Sequence, residues 1–176
     1  MKTCIVIPIL NEIRGLKEIA HKIKPEWYNR IIILDGGSTD GTLEFAKEKN
    51  YEVIVQKRRG IRMAYIECYD HIKEDIIITF SPDGNSLVET IPMLAEKIKE
   101  GYDMVIASRY KDEAKSYDDT LITGAANFVF SLIISLFGYR YTDAMVMLRA
   151  YRRDVPDKLK LNMVRSPFYE KYIGRY

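Results

Sequence analysis

Short runs of uninterrupted apolar residues recur along this chain, and each is followed by a polar turn and then by a stretch with helical spacing. Residues 31–34 read I-I-I-L and residues 76–78 read I-I-I, without polar alternation. Strands of this kind are buried on both faces, which is typical of a parallel sheet covered by helices. The predicted strands are 3–8, 30–34, 51–55, 75–80 and 103–107, and the predicted helices are 11–23, 40–49, 61–72 and one that begins between 86 and 92.

This alternation indicates the α/β class, with three layers and a mostly parallel central sheet. Two of the predicted helices carry start signals. Asp40 is placed to act as the N-cap of the second helix, where a side-chain oxygen accepts hydrogen bonds from free amide groups. Ser86 and Glu89 have the spacing of a capping box at the start of the fourth helix.

Acidic turns follow two of the buried strands directly. The second strand runs into D-G-G-S-T-D-G-T at residues 35–42, and the fourth runs into S-P-D-G-N at residues 81–85. In open α/β sheets, ligands bind outside the carboxyl ends of the strands, so these carboxylates lie where a ligand would bind. Asp35 can accept a hydrogen bond from a nucleobase or a ribose, and a simple turn residue is the alternative. Dinucleotide and P-loop sites lose support because neither glycine-rich motif is present.

Composition limits the class of protein further. A chain of 176 residues with 47% hydrophobic residues suggests a single domain, and a net charge of +2 gives no field for nucleic acid. Residues 57–62 hold a basic cluster with no acid nearby in the sequence, which suits a phosphate-bearing ligand or is a solvated face. Cys4 and Cys68 form no disulfide framework and indicate reduced thiols in the cytoplasm. The apolar start is too short for a signal peptide, so it is interpreted as the first strand.

The stretch 120–139 has no charged residue, and residues 128–137 read F-V-F-S-L-I-I-S-L-F. A membrane-spanning helix needs about 20 apolar residues, and this stretch is diluted by polar ones. A helix buried in the domain and an interfacial helix that touches a bilayer both remain open. A true membrane span is the least favoured of the three alternatives.

Several motifs resemble those of family-2 glycosyltransferases, which carry the GT-A nucleotide-sugar-binding fold. They are the opening C-I-V-I-P-I-L-N-E at 4–12, D-G-G-S-T-D-G-T at 35–42 and S-P-D at 81–83, the last in the place of the family's D-x-D metal motif. Further segments are similar to the polyprenyl-phosphate sugar synthases, such as dolichyl-phosphate mannose synthase. These are Y-D-M-V-I-A-S-R-Y at 102–110, G-A-A-N at 124–127, T-D at 142–143 and R-A-Y-R at 149–152.

The resemblance implies one glycosyltransferase domain over 1–176, with a nucleotide-sugar half at about 1–110 and an acceptor half at about 111–176. It implies nucleoside contacts for Pro8, Asn11, Glu12 and Asp35. The segment from Arg59 to Tyr65 resembles a family segment as well, with Arg62 in place of a glycine, and both arginines are assigned to the nucleotide sugar. Family members usually continue beyond this length, so a truncated chain and a minimal form both remain open.

The metal site is the point where this chain departs from the family pattern. Transfer from a nucleotide sugar expels a diphosphate, whose charge needs a metal ion or fixed cations. Ser81 replaces the first acid of the motif, which leaves Asp83 with Asn85 as a neutral donor for Mg²⁺ or Mn²⁺. The resemblance also assigns Ser81 and Asp83 to the binding of the nucleotide sugar. Because Mg²⁺ keeps waters and takes other ligands from substrate phosphates, Asp83 alone can suffice. A degenerate turn in a protein that binds without catalysing is the alternative.

Arg109 occupies the position at which the resembled synthases place an arginine near the donor and acceptor phosphates, and a guanidinium binds phosphate in a two-pronged fashion. Asp83 and Arg109 are therefore the expected catalytic residues. A phosphate acceptor is ionised near neutral pH and needs no general base. No separate base motif is found, although Asp118, Asp119 and Asp143 are candidates.

The expected function is the inverting transfer of a sugar to a polyprenyl-phosphate acceptor for the cell envelope. It would take place on the cytoplasmic face of a membrane, with peripheral contact through 121–138. A glycan-hydroxyl glycosyltransferase and a non-catalytic nucleotide-sugar-binding subunit are the alternatives.

Overall fold

The computed structural model describes residues 1–110, 121–136, 142–143 and 145–161. They form one six-stranded sheet with helices on both faces. The strands are β1 (Thr3–Ile9), β2 (Arg30–Asp35), β3 (Glu52–Val55), β4 (Ile76–Thr79), β5 (Met104–Ile106) and β6 (Arg149–Arg152). The α-helices are α1 (Ile13–Ala20), α2 (Thr42–Glu48), α3 (Ile61–Tyr69), α4 (Thr90–Lys99), α5 (Leu121–Ser135) and α6 (Val155–Lys158), with a 3₁₀ turn at Pro25–Trp27.

The order of the strands is β3-β2-β1-β4-β6-β5. The strands β1 to β4 are parallel, and β6 lies antiparallel between β4 and β5. This arrangement confirms the α/β class and the mostly parallel sheet. The five strands predicted from the apolar runs are all present, and none of their ends differs by more than one residue.

The sixth strand was not predicted. β6 has the sequence R-A-Y-R, and of its residues only Ala150 is fully buried. Its two terminal arginines and its length of four residues give no apolar run. It is a strand because its backbone pairs with β4 on one side and with β5 on the other.

Both faces of the sheet are covered, which explains the absence of polar alternation in its central strands. On one face, Ile5 and Ile7 of β1 pack in a core that α1, α2 and α4 complete. On the other face, Cys4 and Val6 pack in a smaller core with α3. Alternate residues of one strand therefore enter two different cores, and both sets must be apolar.

Two of the predicted helix caps are wrong in detail. α2 begins after Gly41, whose φ of +93° suits a residue without a Cβ. The carboxylate of Asp40 nevertheless accepts a hydrogen bond from the Thr42 N–H at 3.1 Å. α4 begins at Thr90 with no side-chain cap, so the capping box at Ser86 and Glu89 does not form.

Helix α5 presents most of its apolar side chains to the outside. Its exposed side chains include Phe128, Val129, Phe130, Leu132, Ile133 and Ile134, whereas Asn127 and Ser131 are buried. The interpretation of this stretch as a helix buried in the domain is therefore wrong. Across the residues that the structure describes, no helix combines the length and the apolarity that crossing a bilayer requires.

Candidate functional site

The acidic turns meet at one edge of the sheet. β1 lies between β2 and β4 and runs parallel to both, so the carboxyl ends of these three strands are neighbours. The segments that leave them are 36–41, 10–12 and 80–89. This edge, here called the carboxyl edge, therefore carries Asp35, the Asn11–Glu12 turn and Asp83 on adjacent loops.

Asp35 is fully buried at the end of β2, and its carboxylate shapes the loop that follows. Its Oδ2 accepts hydrogen bonds from the Gly37 N–H at 2.7 Å and from the Ser38 N–H at 3.1 Å. Gly37 has a φ of +101°, which is a conformation that a glycine adopts without strain. These bonds give Asp35 a structural role in the turn, and its contact with a nucleoside stays a prediction.

Asn11 clamps the first turn of the carboxyl edge to the second. Its backbone N–H donates to the Ser38 hydroxyl at 2.9 Å, and its side-chain oxygen accepts from the Thr39 N–H at 2.8 Å. Its φ of +56° lies in the left-handed region, where asparagine is tolerated better than most residues. The clamp holds the loop after β2 against the turn after β1. A direct nucleoside contact by Asn11 is not tested by this geometry.

Asp40 makes a second connection between the same two turns. Its Oδ2 accepts a hydrogen bond from the Ile13 N–H at 3.1 Å, and Ile13 is the first residue of α1. The hydroxyl and the N–H of Thr42, the first residue of α2, both donate to Oδ1. One carboxylate therefore satisfies free amides at the starts of two helices, which is favourable at the positive ends of helix dipoles. These hydrogen bonds, led by the one from Thr42, keep the pKa of Asp40 below its ordinary value although its small burial acts in the opposite direction.

Pro8 and Glu12 flank these connections. Pro8 is half-buried and pairs in register with Leu34 of β2, whereas the pairing of β1 with β4 ends at Val6. Proline has no N–H to continue a ladder, so the strand ends diverge next to it. Glu12 is exposed as the N-cap residue of α1. Both residues lie at the carboxyl edge, and their predicted contacts with the nucleoside remain predictions.

The loop after β4 carries the predicted metal site. Ser81 is half-buried, Pro82 is buried, and Asp83 and Asn85 are exposed. Asp83 Oδ1 accepts a hydrogen bond from the Asn85 N–H at 3.0 Å, and Gly84 between them has a φ of +83°. This small turn directs one carboxylate toward solvent at the carboxyl edge.

Asp83 and Asn85 can supply one carboxylate and one amide oxygen as side-chain ligands. Among the described parts of the chain, no group of three or more His, Cys, Asp or Glu side chains is arranged to hold a metal ion. The donor set fits a hard divalent cation that keeps waters and takes further ligands from a diphosphate, as Mg²⁺ does. It does not fit a structural zinc site, which needs four protein ligands.

Part of the basic cluster after β3 is bonded to an acidic side chain. Arg58 pairs with Glu67 at 2.8 Å, and the Lys57 N–H donates to the same carboxylate at 2.7 Å. No acid is near the cluster in the sequence, but α3 brings Glu67 back against the loop. Arg59 and Arg62 are exposed at the start of α3, on the side of the carboxyl edge next to β2. Their contact with a nucleotide sugar stays a prediction.

Arg109 follows β5 and binds a buried carboxylate. Its Nε donates to Asp143 Oδ2 at 2.8 Å, a second guanidinium nitrogen donates to Oδ1 at 3.2 Å, and its backbone N–H donates to Oδ2 at 3.1 Å. The Asp143 side chain is fully buried and also accepts from the N–H groups of Met145 and Val146. The pair was not predicted from the sequence, in which its members are 34 residues apart.

The pair changes the interpretation of Asp143. Burial acts to raise the pKa of Asp143, but the hydrogen bonds and the charge of Arg109 outweigh it and hold that pKa below its ordinary value. A carboxylate that is inaccessible and held ionised is unsuited to take a proton from a substrate. The candidacy of Asp143 as a general base is therefore wrong. Asp118 and Asp119, the other two candidates, lie outside the described residues. A phosphate contact for Arg109 stays a prediction.

A cavity of about 410 Å³ lies on the α3 face of the sheet, between α3, β6 and α6. Its lining is mostly apolar, with side chains such as Ile66, Met104 and Leu159. A nucleotide diphosphate needs donors and cations around its phosphates. Arg62 and Arg149 line the cavity, but no carboxylate of the described residues does, so it offers no metal ligand beside a diphosphate, and the carboxyl edge is the better candidate.

The topology and the acidic edge define a class of protein. The mixed six-stranded sheet of the described residues, with helices on both faces, is that of the α/β GT-A glycosyltransferase fold. The chain belongs to the family described as Glycosyl transferase family 2, which it matches over residues 4–159.

Two relatives illustrate the similarity to known sequences. The chain is 33% identical over 174 residues to protein MJ1222 of Methanocaldococcus jannaschii, covering 94% of this chain and 70% of that protein. It is 29% identical over 182 residues to the undecaprenyl-phosphate 4-deoxy-4-formamido-L-arabinose transferase of Salmonella choleraesuis, covering 95% of this chain and 54% of that enzyme. The chain thus spans between about half and 70% of the length of these relatives.

A solved structure is similar in fold. It is glucosyl-3-phosphoglycerate synthase from Mycobacterium tuberculosis in complex with Mn²⁺, UDP and phosphoglyceric acid. The TM-score is 0.69 at 21% identity, over 87% of this chain and 56% of that one. At this identity the likeness establishes the fold alone.

Proposed function

We propose that this chain is the catalytic domain of a glycosyltransferase that moves a sugar, with inversion, from a nucleotide-diphosphate sugar to a polyprenyl phosphate. The observation that carries the proposal is the carboxyl edge, where the ends of β2, β1 and β4 present a turn shaped by Asp35, a clamped turn at Asn11 and an exposed Asp83. Membership of glycosyltransferase family 2 gives this edge its chemistry.

In the proposed site, the loops after β1 and β2 bind the nucleoside, through Pro8, Asn11 and Glu12, and the buried Asp35 holds the loop after β2 in its conformation. Asp83 and Asn85 hold the divalent cation, which when bound neutralises charge on the departing diphosphate. Arg59 and Arg62 lie beside the same edge and add positive charge for the phosphates.

The acceptor half of the proposal rests on chemistry and on one relative. A phosphate monoester is ionised near neutral pH, so it needs alignment and charge neutralisation rather than a general base. This agrees with the burial of Asp143, which cannot serve as that base. The Salmonella relative acts on undecaprenyl phosphate, as its name states. Arg109 is the residue proposed to approach the acceptor phosphate.

The exposed face of α5 supports a lipid acceptor independently. Six apolar side chains between residues 128 and 134 are exposed on a helix without charge. Contiguous apolar surface of this kind marks a site for a membrane or a protein partner. We propose that α5 lies in the interface of the cytoplasmic leaflet and brings the carboxyl edge to the lipid phosphate.

A thermal-shift screen tests the donor part. UDP-, GDP- and CDP-sugars are added with and without Mg²⁺ or Mn²⁺, because a specific ligand raises the apparent stability of the folded chain. One donor should raise the melting temperature in the presence of the cation, and Asp83→Ala should remove the dependence on the cation. Asp70→Ala is the control, because Asp70 is an exposed acid at the C-terminal end of α3. Unchanged metal dependence in Asp83→Ala would remove Asp83 from the mechanism.

Transfer of radiolabel tests the acceptor part. The donor found in the screen is incubated with short-chain polyprenyl phosphate and with soluble glycans, and label should enter the organic phase. Label that stays in water-soluble saccharide supports the glycan-hydroxyl alternative. Donor binding without transfer to any acceptor supports the non-catalytic subunit.

Sedimentation with vesicles tests the membrane part. The native chain should pellet with anionic vesicles, and Phe128→Ser combined with Phe130→Ser should reduce the pelleted fraction. Leu87→Ser combined with Met93→Ser changes two equally exposed apolar residues elsewhere and should leave the pelleted fraction unchanged. Absence of pelleting by the native chain would refute the interfacial assignment of α5.

A further inference from the structure

The first turn of α1 contacts both of the loops proposed to hold the donor. On one side it is bonded to the loop after β2, through the Ile13 N–H to Asp40 and through the two hydrogen bonds of Asn11. On the other side it meets the loop after β4, and this second contact is made at Gly15.

Gly15 leaves no room for a side chain. A Cβ placed on its backbone would lie 2.1 Å from the carbonyl oxygen of Pro82 and 3.0 Å from its carbonyl carbon. These are backbone atoms of a buried residue, so they cannot turn aside as the end of a flexible side chain would. The loop after β4 therefore rests directly on the backbone of α1, at the residue that precedes Asp83.

A glycine inside a helix is costly by itself. It is less favourable than alanine there because its unfolded backbone has more freedom to lose. At Gly124 of α5, in contrast, a Cβ would have no neighbour within 4 Å among the residues that the structure describes. The close approach of two backbones therefore explains why α1 has a glycine at position 15.

We propose that Gly15 is a positioning residue, and that the first turn of α1 sets the distance between the nucleoside-binding loop and Asp83. The inference rests on the proposed function, because it assigns the two loops to two parts of one donor. Asp83 follows Pro82 directly in the sequence. Its carboxylate accepts a hydrogen bond from the N–H of Asn85, two residues further along the chain. Any displacement of Pro82 is therefore passed to the Asp83 carboxylate.

The size of the displacement follows from the contact. Ordinary van der Waals contact begins at 3.4 Å, so a methyl group at position 15 requires the Pro82 oxygen to move by about 1.3 Å. A misplacement of about 1 Å in an active site can cost up to about a hundredfold in rate. The nucleoside-binding loop has its own bonds to Asp35 and should keep its conformation.

The test compares Gly15→Ala with Gly124→Ala. In Gly15→Ala, the cation concentration for half-maximal donor binding should rise by about tenfold or more, while binding of the bare nucleoside should stay near the native value. The backbone amide signals of Gly84 and Asn85 should shift in NMR spectra, and that of Gly37 should not. Gly124→Ala should match the native chain in all of these measurements. A merely structural role for Gly15 would lower stability without separating cation dependence from nucleoside binding.

Three outcomes separate the inference from the proposed function. Native cation dependence and native Gly84 and Asn85 signals in a folded Gly15→Ala chain would overturn the inference. If the native chain binds no nucleotide sugar, the proposed function fails, and the amide signals alone decide whether Gly15 positions the loop. If Gly15→Ala does not fold, the double variant with Pro82→Gly gives the loop freedom to move; native cation dependence in that variant would also overturn the inference.

Discussion

Replacing Asp143 with asparagine tests the buried ion pair between Asp143 and Arg109. The substitution keeps the size of the side chain but removes its charge. Asp143 is fully buried and accepts three hydrogen bonds from Arg109 and two from backbone N–H groups of its own loop. An asparagine has one acceptor oxygen, and its amide group would face the donors of Arg109.

The expected loss is large for a single substitution. Removing one member of a buried ion pair costs about 3–5 kcal/mol, because the remaining charge loses the attraction that offset its desolvation. The Arg109 side chain is 24% exposed, so water can solvate part of its charge. The expected loss in stability therefore lies at the lower end of this range. We expect a loss of about 3 kcal/mol in the free energy of unfolding, or about 6–12 °C in melting temperature for a chain of this size.

Urea unfolding followed by the fluorescence of Trp27, the single tryptophan of the chain, measures this loss. Glu18→Gln is the matched control, because Glu18 forms an exposed pair with Lys22 at 2.7 Å and should contribute nothing measurable. A loss below about 1 kcal/mol for Asp143→Asn would mean that the pair behaves like a surface pair and would refute the reasoning.

The same pair predicts a dependence on pH. The pKa of Asp143 is lower in the folded state than in the unfolded state, so the pair stabilises the fold above the unfolded value. That contribution is lost as the pH falls through the folded pKa. The difference in stability between the native chain and Asp143→Asn should therefore be full near neutral pH and should shrink below about pH 4.

Three further predictions concern single side chains. Burial raises the pKa of the Cys4 and Cys68 thiols to about 12, so a thiol reagent at about pH 8 should label neither in the native chain and both in urea. Asp83→Asn keeps an acceptor for the Asn85 N–H but loses the charge, so it should weaken cation-dependent donor binding as Asp83→Ala does; native binding would show that the charge is not needed. Asn11→Gly accepts the positive φ but loses the side-chain bond to the next loop, so it should lower the melting temperature and the donor affinity together, and an unchanged affinity would contradict the clamp.

Sequence alone was sufficient for the parallel part of the sheet. The central strands are buried on both faces, so each residue of runs such as 31–34 must be apolar, and the pattern is visible without any tertiary information. The same reasoning failed for β6, whose four residues are held by pairing on both sides rather than by an apolar run.

The candidate site divides in the same way. The carboxyl edge was predictable, because parallel strands end at one edge and Asp35 and Asp83 each follow such a strand. The side-chain contacts that Asp35 and the other charged residues of this region make were not predictable. Asp35 is turned inward onto its own loop, Glu67 returns to the basic cluster along α3, and Arg109 pairs with Asp143.

The amino-acid sequence by itself determined the fold class, the family and the edge at which ligands would bind, since these depend on local apolar periodicity and on motifs of adjacent residues. Only the tertiary structure decided which charged side chains are paired with one another and why position 15 is a glycine. Such contacts join residues tens of positions apart, and their distances depend on how helices pack on the sheet, which no local pattern encodes.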